Sequence, residues 1–265
     1  MPKQFWTKPW LRLVAVMFIA GTLYSSWPLG YWLNPRADRG LASNLEALHQ
    51  PYNWVFITFD IISGGLICVV TWWCLRFVRR HNRTDNIWLE TAIVGLGVFG
   101  LLTALDAVLP LNCVETVQHC VPPLEDPYFV IHGITSIGSI AGLTLSIVAV
   151  WWLLARDQRV FTITRWVLHT MLVLWLCFGV GTAVLVARDR TSSLSQHIFI
   201  LFCSFWVAVI PYFIWQVLHL RPYKSQRARS NDERRFVKSK TKKRQVSSLS
   251  GQLKTVPVEA NRKNR

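Results

Sequence analysis

Six stretches of the sequence, each about 20 residues long, consist almost wholly of apolar side chains. The hydrocarbon core of a bilayer is about 30 Å thick, and a helix needs about 20 residues to cross it. The stretches are apolar on all sides, which excludes the surface helices of a soluble domain. We therefore predict an all-α, polytopic membrane protein. Its six transmembrane helices are expected at residues 10–27, 54–77, 87–109, 128–154, 166–187 and 197–219.

The composition agrees with a protein embedded in a lipid bilayer. Of the 265 residues, 52% are hydrophobic and 14 are tryptophan. Several predicted spans begin or end in Trp or Tyr, as in the aromatic belts at membrane interfaces. We divide the chain into a cytoplasmic N-terminus (1–9), a six-helix transmembrane domain (10–220) and a disordered basic cytoplasmic tail (221–265).

The distribution of Lys and Arg predicts the orientation in the membrane. The two termini and the loops around 77–87 and 155–165 hold 25 of the 29 Lys+Arg, and the other three loops hold four. Since basic residues accumulate on the cytoplasmic side, we predict both termini inside, in the bacterial cytoplasmic membrane. The short, basic-flanked first span also resembles a signal peptide. No small-x-small cleavage site precedes Trp27, which favours an uncleaved anchor.

The net charge of +15 arises mainly in the tail, which carries 15 of the basic residues. It therefore does not indicate a nucleic-acid-binding fold. Three interpretations of the tail stay open: a topology anchor that also aids solubility, contact with anionic lipid, and contact with RNA or the ribosome. We expect no specific nucleic-acid ligand, and protein partners are not predicted.

Two of the six cysteines, Cys113 and Cys120, lie in a polar loop that is predicted outside. A disulfide is the favoured interpretation in that compartment. A metal site is the alternative because His119 adjoins Cys120, although two Cys and one His do not complete a four-ligand set. The longest outer loop, 28–53, is expected to form a short helical turn at 43–49 with Ser43 as its cap and Glu46 three residues later. It either lies on the membrane or folds over the helix ends.

Four ionisable side chains from four different spans lie near the outer face: Asp60, Asp106, His132 and His197. At 1.5 Å per residue, the first three lie about 6–9 Å inside the ends of their helices. Ser136 shares a helix face with His132. Because charge within a membrane is expensive, we predict that these five residues line one outward-facing pocket.

Several chemical roles fit this cluster. Asp60, Asp106, His132 and His197 include the oxygen and imidazole ligands that zinc accepts, Asp106, His132 and His197 foremost. An Asp–His pair also suits acid–base chemistry or proton relay. The structural alternative is a polar network in which Asp106 bonds to His132 and Ser136 and holds helices in register, although such bonds average only about 0.6 kcal/mol in membranes.

Short motifs in these segments resemble a bacterial membrane family defined by a domain of unknown function, DUF998. They are Trp54 with Asp60 and Gly64-Gly65, then Asp106 with Pro110 and Cys113, and His132-Gly133 after the second cysteine. The resemblance covers roughly residues 10–220. It implies a six-helix membrane protein and no established activity.

A more distant likeness is to alkaline ceramidases and adiponectin-receptor-like proteins, which are seven-helix membrane zinc hydrolases. This sequence departs from them in having six spans, an outer cluster and only His197 in the last span. We therefore predict a membrane protein whose pocket takes a lipid headgroup or small molecule. A metal-dependent lipid hydrolase and a structural or scaffold protein are the alternatives. No catalytic residue is assigned, no cofactor is expected, and zinc is retained only with the hydrolase.

Overall fold

A computed structural model describes residues 8–34, 42–80, 87–112, 126–155, 162–187 and 193–220. Over these ranges the chain is helical and forms no strand. Its α-helices are α1 (Lys8–Tyr24), the one-turn α2 (Gly30–Leu33), α3 (Asn53–Arg80), α4 (Ile87–Val108), α5 (Pro127–Ala155), α6 (Thr162–Ala187) and α7 (Ser193–Leu220).

Six of these segments are long and apolar enough to cross a membrane, which confirms the predicted all-α, six-span architecture. The first span, Leu11–Leu29, continues beyond α1 through the 3-10 turn Trp27–Leu29. Helices suit this environment because lipid offers the backbone no hydrogen-bond partner, so each N–H and C=O must bond within its own segment. The chain is a multi-pass membrane protein.

The sequential helices α3, α4 and α5 form the most closely packed part of the bundle, with α1 packed against α3 and α6 against α5. Gly95 on α4 faces Gly142 on α5, where a Cβ on Gly95 would lie 2.6 Å from the Gly142 carbonyl oxygen. Gly64 on α3 faces Gly100 on α4 equally closely. Without a hydrophobic driving force between helices in lipid, such backbone contact is a main source of association.

The last helix, α7, packs through larger side chains. Trp206 is fully buried, and its indole N–H donates to Ser146 on α5 at 3.4 Å. The exception is Gly21 on α1, where an added Cβ would lie 2.6 Å from the Ser204 carbonyl oxygen of α7. The outward surfaces are apolar, as expected of a lipid-facing bundle; Phe18, for example, is 63% exposed.

A segment of the long 28–53 loop, residues 42–50, folds over the helix ends, which resolves the alternative left open by the sequence. Its 3-10 turn, Ala42–Leu45, corresponds to the predicted helical turn. The Leu48 N–H donates to the Leu111 carbonyl at 2.7 Å, and Ala47 packs on Leu111. The segment is therefore attached to the end of α4, and its residues 44–47 are buried.

The chain divides into two compact units, Met1–Val217 and Leu218–Arg265. Of the second unit, the structure describes only the last turn of α7. The basic tail (221–265) therefore lies outside the described residues. So do Cys113 and Cys120, and their disulfide stays a prediction. The four cysteines that the structure describes, all within the helices, are free thiols: Cys68, Cys74, Cys177 and Cys203.

Candidate functional site

A cavity of about 120 Å³ lies beneath the 42–46 segment, among the ends of the long helices. Its polar lining comes from the loop and from α1, α3, α4, α5 and α7: Tyr24, Ser26, Ser43, Glu46, Asp60, Thr103, Asp106, Ser136, Ser139 and Gln196. The apolar part of its wall includes Trp27, Leu45, Phe56 and Phe199. The site is thus a polar space enclosed by several helices, at the end of the bundle that the Lys/Arg distribution places outside.

Asp106 is the centre of a polar network between α4 and α5. The Thr135 hydroxyl donates to Oδ1 of Asp106, and the Ser136 hydroxyl donates to Oδ2 at 3.0 Å. His132 Nδ1 lies 3.1 Å from Oδ1 without the geometry of a hydrogen bond, and this distance makes an ion pair when the imidazole is protonated. The Asp–His contact expected across this hairpin is present, and it holds the Asp106 carboxylate in one orientation at the cavity wall.

A second carboxyl pair joins the loop to α3. Glu46, which is 8% exposed, makes a side-chain hydrogen bond with Asp60. Two carboxyl groups can share a hydrogen bond only if one of them holds a proton. Burial raises the pKa of Glu46 from its ordinary value of 4.5 to about 7. The charge of Asp106 also raises it, while the hydrogen bond with Asp60 lowers it.

Thr103, one turn before Asp106 on α4, presents a polar atom with no protein partner. The residue is 4% exposed and lines the cavity, and its hydroxyl makes no hydrogen bond within the structure. Most buried hydroxyls are paired, so an unpaired one at a cavity needs an explanation. A ligand atom in the cavity is one partner that would satisfy it.

The remaining wall ties the loop to α7. Gln196 accepts a hydrogen bond from the backbone N–H of Ala42, at the start of the covering segment. Trp27 lines the cavity, and its ring stacks on His197 at a centroid distance of 3.8 Å, nearly parallel. The aromatic pair thus joins the turn after α1 to α7 beside the cavity.

The structure distributes the five predicted pocket residues in three ways. Asp60, Asp106 and Ser136 line the cavity. His132 is buried beside Asp106 and orients it without being part of the lining. His197 is fully buried against Trp27.

The zinc alternative is not supported by this arrangement. Among the residues that the structure describes, no three His, Cys, Asp or Glu side chains are placed to hold a metal ion. Asp106, His132 and His197 therefore do not form a ligand set. The reason is that α7 directs His197 toward Trp27, so only two of the three side chains meet.

Glu46 and Gln196 are among the lining residues that sequence reasoning missed. The sequence predicts Glu46 as part of a helix cap, whereas its burial depends on how the loop docks. The only signal was an acid between Leu45 and Ala47, in a loop otherwise punctuated by proline. Gln196 precedes His197, and one residue along a helix turns the side chain by 100°, so the choice between them depends on the rotation of α7.

The family model "Protein of unknown function (DUF998)" matches residues 13–211, which is most of the chain. The chain belongs to this family. No curated protein and no solved structure shows significant similarity to it. The resemblance to DUF998 is thereby confirmed, whereas the likeness to ceramidase-like hydrolases finds no support.

Proposed function

We propose that this DUF998 protein binds a small ligand with a primary ammonium group in its acidic cavity, from the outer side of the membrane. One observation carries the proposal. Three carboxyl side chains, Glu46, Asp60 and Asp106, line the space, and no basic side chain is among its described lining residues. Carboxyl groups buried in a low-dielectric site either hold a proton or, when ionised, are stabilised by a compensating charge. An ammonium group supplies that charge together with three N–H donors.

The volume limits the size of the ligand. An engineered protein cavity of about 150 Å³ holds benzene, which has six non-hydrogen atoms. A space of about 120 Å³ therefore suits the ammonium end of a molecule no larger than that. Ethanolamine has this size and charge, and it occurs both as a free amine and as a phospholipid headgroup.

The Thr103 hydroxyl supports the same chemistry independently of the carboxyls. It is buried, lacks a partner and lies one helical turn from Asp106. Leaving such a group unpaired costs about 1–3 kcal/mol. A ligand N–H that donates to Thr103 would recover that free energy. The unpaired hydroxyl therefore favours ligand binding.

We also infer the cellular setting from the sequence. The Lys/Arg distribution favours the bacterial cytoplasmic membrane, with both termini inside and the cavity toward the outer face. The same proposal includes two further features. The basic tail contacts anionic lipid, and Cys113 and Cys120 form a disulfide in the outer loop.

A test compares Thr103→Val with Thr58→Val. Valine keeps the shape of threonine and removes the hydroxyl. Thr58 is a matched control because its hydroxyl bonds to the Trp54 carbonyl on an exposed face of α3, and it does not line the cavity. Ethanolamine binding to detergent-purified protein is measured by calorimetry. We expect Thr103→Val to weaken binding about 10-fold or more, as loss of a hydrogen bond to a charged group predicts, and Thr58→Val to leave it unchanged.

Two further arms identify the ligand source and chemistry. Choline, which has no N–H donors, is expected to bind more weakly than ethanolamine. Protein in nanodiscs of phosphatidylethanolamine is compared with protein in phosphatidylglycerol. Competition with soluble ethanolamine only in the former indicates the lipid headgroup, whereas equal binding in both indicates the free amine. Absence of ethanolamine binding in detergent and in phosphatidylglycerol nanodiscs overturns the proposal.

A structural role is the second candidate, and the Asp106 network favours it. Asp106 already has Thr135, Ser136 and His132 as partners. If no amine binds and Asp106→Asn only lowers stability, the cluster is a packing network between α4 and α5.

A further inference from the structure

We propose that a groove between α1 and α7 binds one acyl chain of an outer-leaflet phospholipid. The groove has a volume of about 530 Å³, and its lining comes from α1 and α7 together with Met171 of α6. None of its described lining residues lines the acidic cavity. It is therefore a second site, and its occupant does not depend on the amine proposed for the cavity.

The groove is continuous with the surface of the bundle that faces the bilayer. Three large apolar side chains line it and are also exposed: Phe18 (63%), Leu201 (47%) and Phe205 (46%). All three lie within helices that are long and apolar enough to cross a membrane. The hydrocarbon of the bilayer, which contains no water, therefore reaches the groove from its open side.

The extent of the groove along the helices matches one leaflet. Its lining on α7 runs from Ile198 to Ala208, a distance of about 15 Å at 1.5 Å per residue. That is half of the hydrocarbon core, which is about 30 Å thick. Ile198 lies near the end of α7 that the Lys/Arg distribution places outside, whereas Ala208 and Met171 lie near the middle of their spans. The groove thus extends from the outer end of α7 to the bilayer centre, as a chain of the outer leaflet does.

The polar groups of the groove are already hydrogen-bonded. The hydroxyls of Thr22, Ser25 and Ser204 line it, and each donates to the backbone carbonyl four residues earlier, at 2.9, 3.1 and 2.9 Å. No described lining residue carries a charge. A polar ligand would lose its hydration here without gaining a charged partner or a free hydroxyl donor, whereas hydrocarbon needs neither.

The size of the groove favours a lipid chain over a helix from a second copy. A volume of about 530 Å³ over about 15 Å gives a mean cross-section of about 35 Å². A helix with its side chains is at least about 10 Å across, which corresponds to about 80 Å². At the packing of benzene in a cavity of about 150 Å³, the groove holds about 20 carbon atoms. One acyl chain has this size, and two do not fit.

The experiment uses phosphatidylcholine with a photoactivatable diazirine in the middle of one acyl chain. The full-length protein in detergent is mixed with increasing amounts of this lipid and irradiated, and the labelled peptides are quantified by mass spectrometry. Phosphatidylcholine has no net charge and no N–H donor, so it should be recruited neither by the basic tail nor by the chemistry proposed for the acidic cavity. We expect saturable labelling that is concentrated on peptides of α1 and α7.

Ala208→Trp is the variant, and Ala141→Trp is its control. The indole of the variant fills the deep end of the groove, where the small side chain of Ala208 leaves space. Ala141 lies in the middle of α5, is exposed and does not line the groove. We expect Ala208→Trp to lower the saturable labelling about tenfold, as overpacking of a filled site predicts, and Ala141→Trp to leave it unchanged. Should Ala208→Trp not fold, Phe205→Ala removes one wall of the groove and should also lower the labelling.

Three outcomes would overturn the inference. One is labelling that does not saturate and is spread evenly over the exposed faces of all six spans. Another is saturable labelling of α1 and α7 that neither Ala208→Trp nor Phe205→Ala reduces. The third is a dimer in detergent whose α1 and α7 are protected from the lipid label, since a second copy would then occupy the groove.

Discussion

Two adjacent glycines on α3 give a direct test of how closely α3 packs against α4. A Cβ on Gly64 would collide with the Gly100 carbonyl oxygen and lie 2.9 Å from Cβ of Ala104, both on α4. A Cβ on Gly65 would meet nothing within 4 Å. Alanine at position 64 must therefore separate α3 from α4, while alanine at position 65 only adds a methyl group in open space.

The two substitutions are expected to change the free energy of unfolding in opposite directions. Overpacking of this kind costs about 1–3 kcal/mol, and the contact at Gly64 is with backbone, which cannot turn away. Replacing glycine by alanine inside a helix gains up to about 1 kcal/mol in helix propensity. We expect Gly64→Ala to lower the free energy of unfolding by about 1–3 kcal/mol and Gly65→Ala to leave it unchanged or raise it slightly.

The assay is unfolding of both variants in mild detergent titrated with SDS, followed by circular dichroism. Because the two residues are neighbours on one helix, differences in expression or detergent binding should affect both alike. Equal midpoints for the two variants, or a more stable Gly64→Ala, would refute the close α3–α4 contact.

Three other predictions concern the cavity and its loops. Because the pKa of Glu46 is raised from 4.5 to about 7, the folded state holds this proton more tightly. Its contribution of about 3 kcal/mol is full below pH 4.5 and lost as the pH rises to about 7. Glu46→Gln should therefore be more stable than wild type at pH 8, as measured in the same SDS titration. Asp106→Asn should cost only about 1 kcal/mol by that assay, since membrane hydrogen bonds are weak and Thr135 also bonds to backbone carbonyls. Cys113 and Cys120 should resist alkylation until reduced, and modification of both in unreduced protein, counted by mass spectrometry, would contradict the disulfide.

The six spans were predictable because the signal is local and large. Twenty apolar residues must form a helix in lipid whatever their neighbours do, since only a helix satisfies its own backbone there. The ends differ from the predicted ones by a few residues, as for α3, which begins at Asn53 and ends at Arg80. The meeting of Asp106 with His132 was also within reach, because a short hairpin leaves adjacent helices few alternatives.

The composition of the cavity was not predictable in the same way. Burial of Glu46 depends on the docking of residues 42–50 against the end of α4, through contacts such as Leu48 with Leu111. Nothing in the loop itself specifies that docking. His197 was expected in the pocket, but the rotation of α7 places Gln196 in the lining and turns His197 onto Trp27.

The sequence by itself thus determined the class, the number of spans and a set of polar residues at similar depth, because length, apolarity and helical rise are properties of each segment alone. Only the tertiary structure decided that Glu46 meets Asp60, that Thr103 is buried without a partner and that the proposed zinc ligands do not converge. Those facts depend on the rotation of each helix about its axis and on the path of a loop. Both are set by packing between segments, which no single segment encodes.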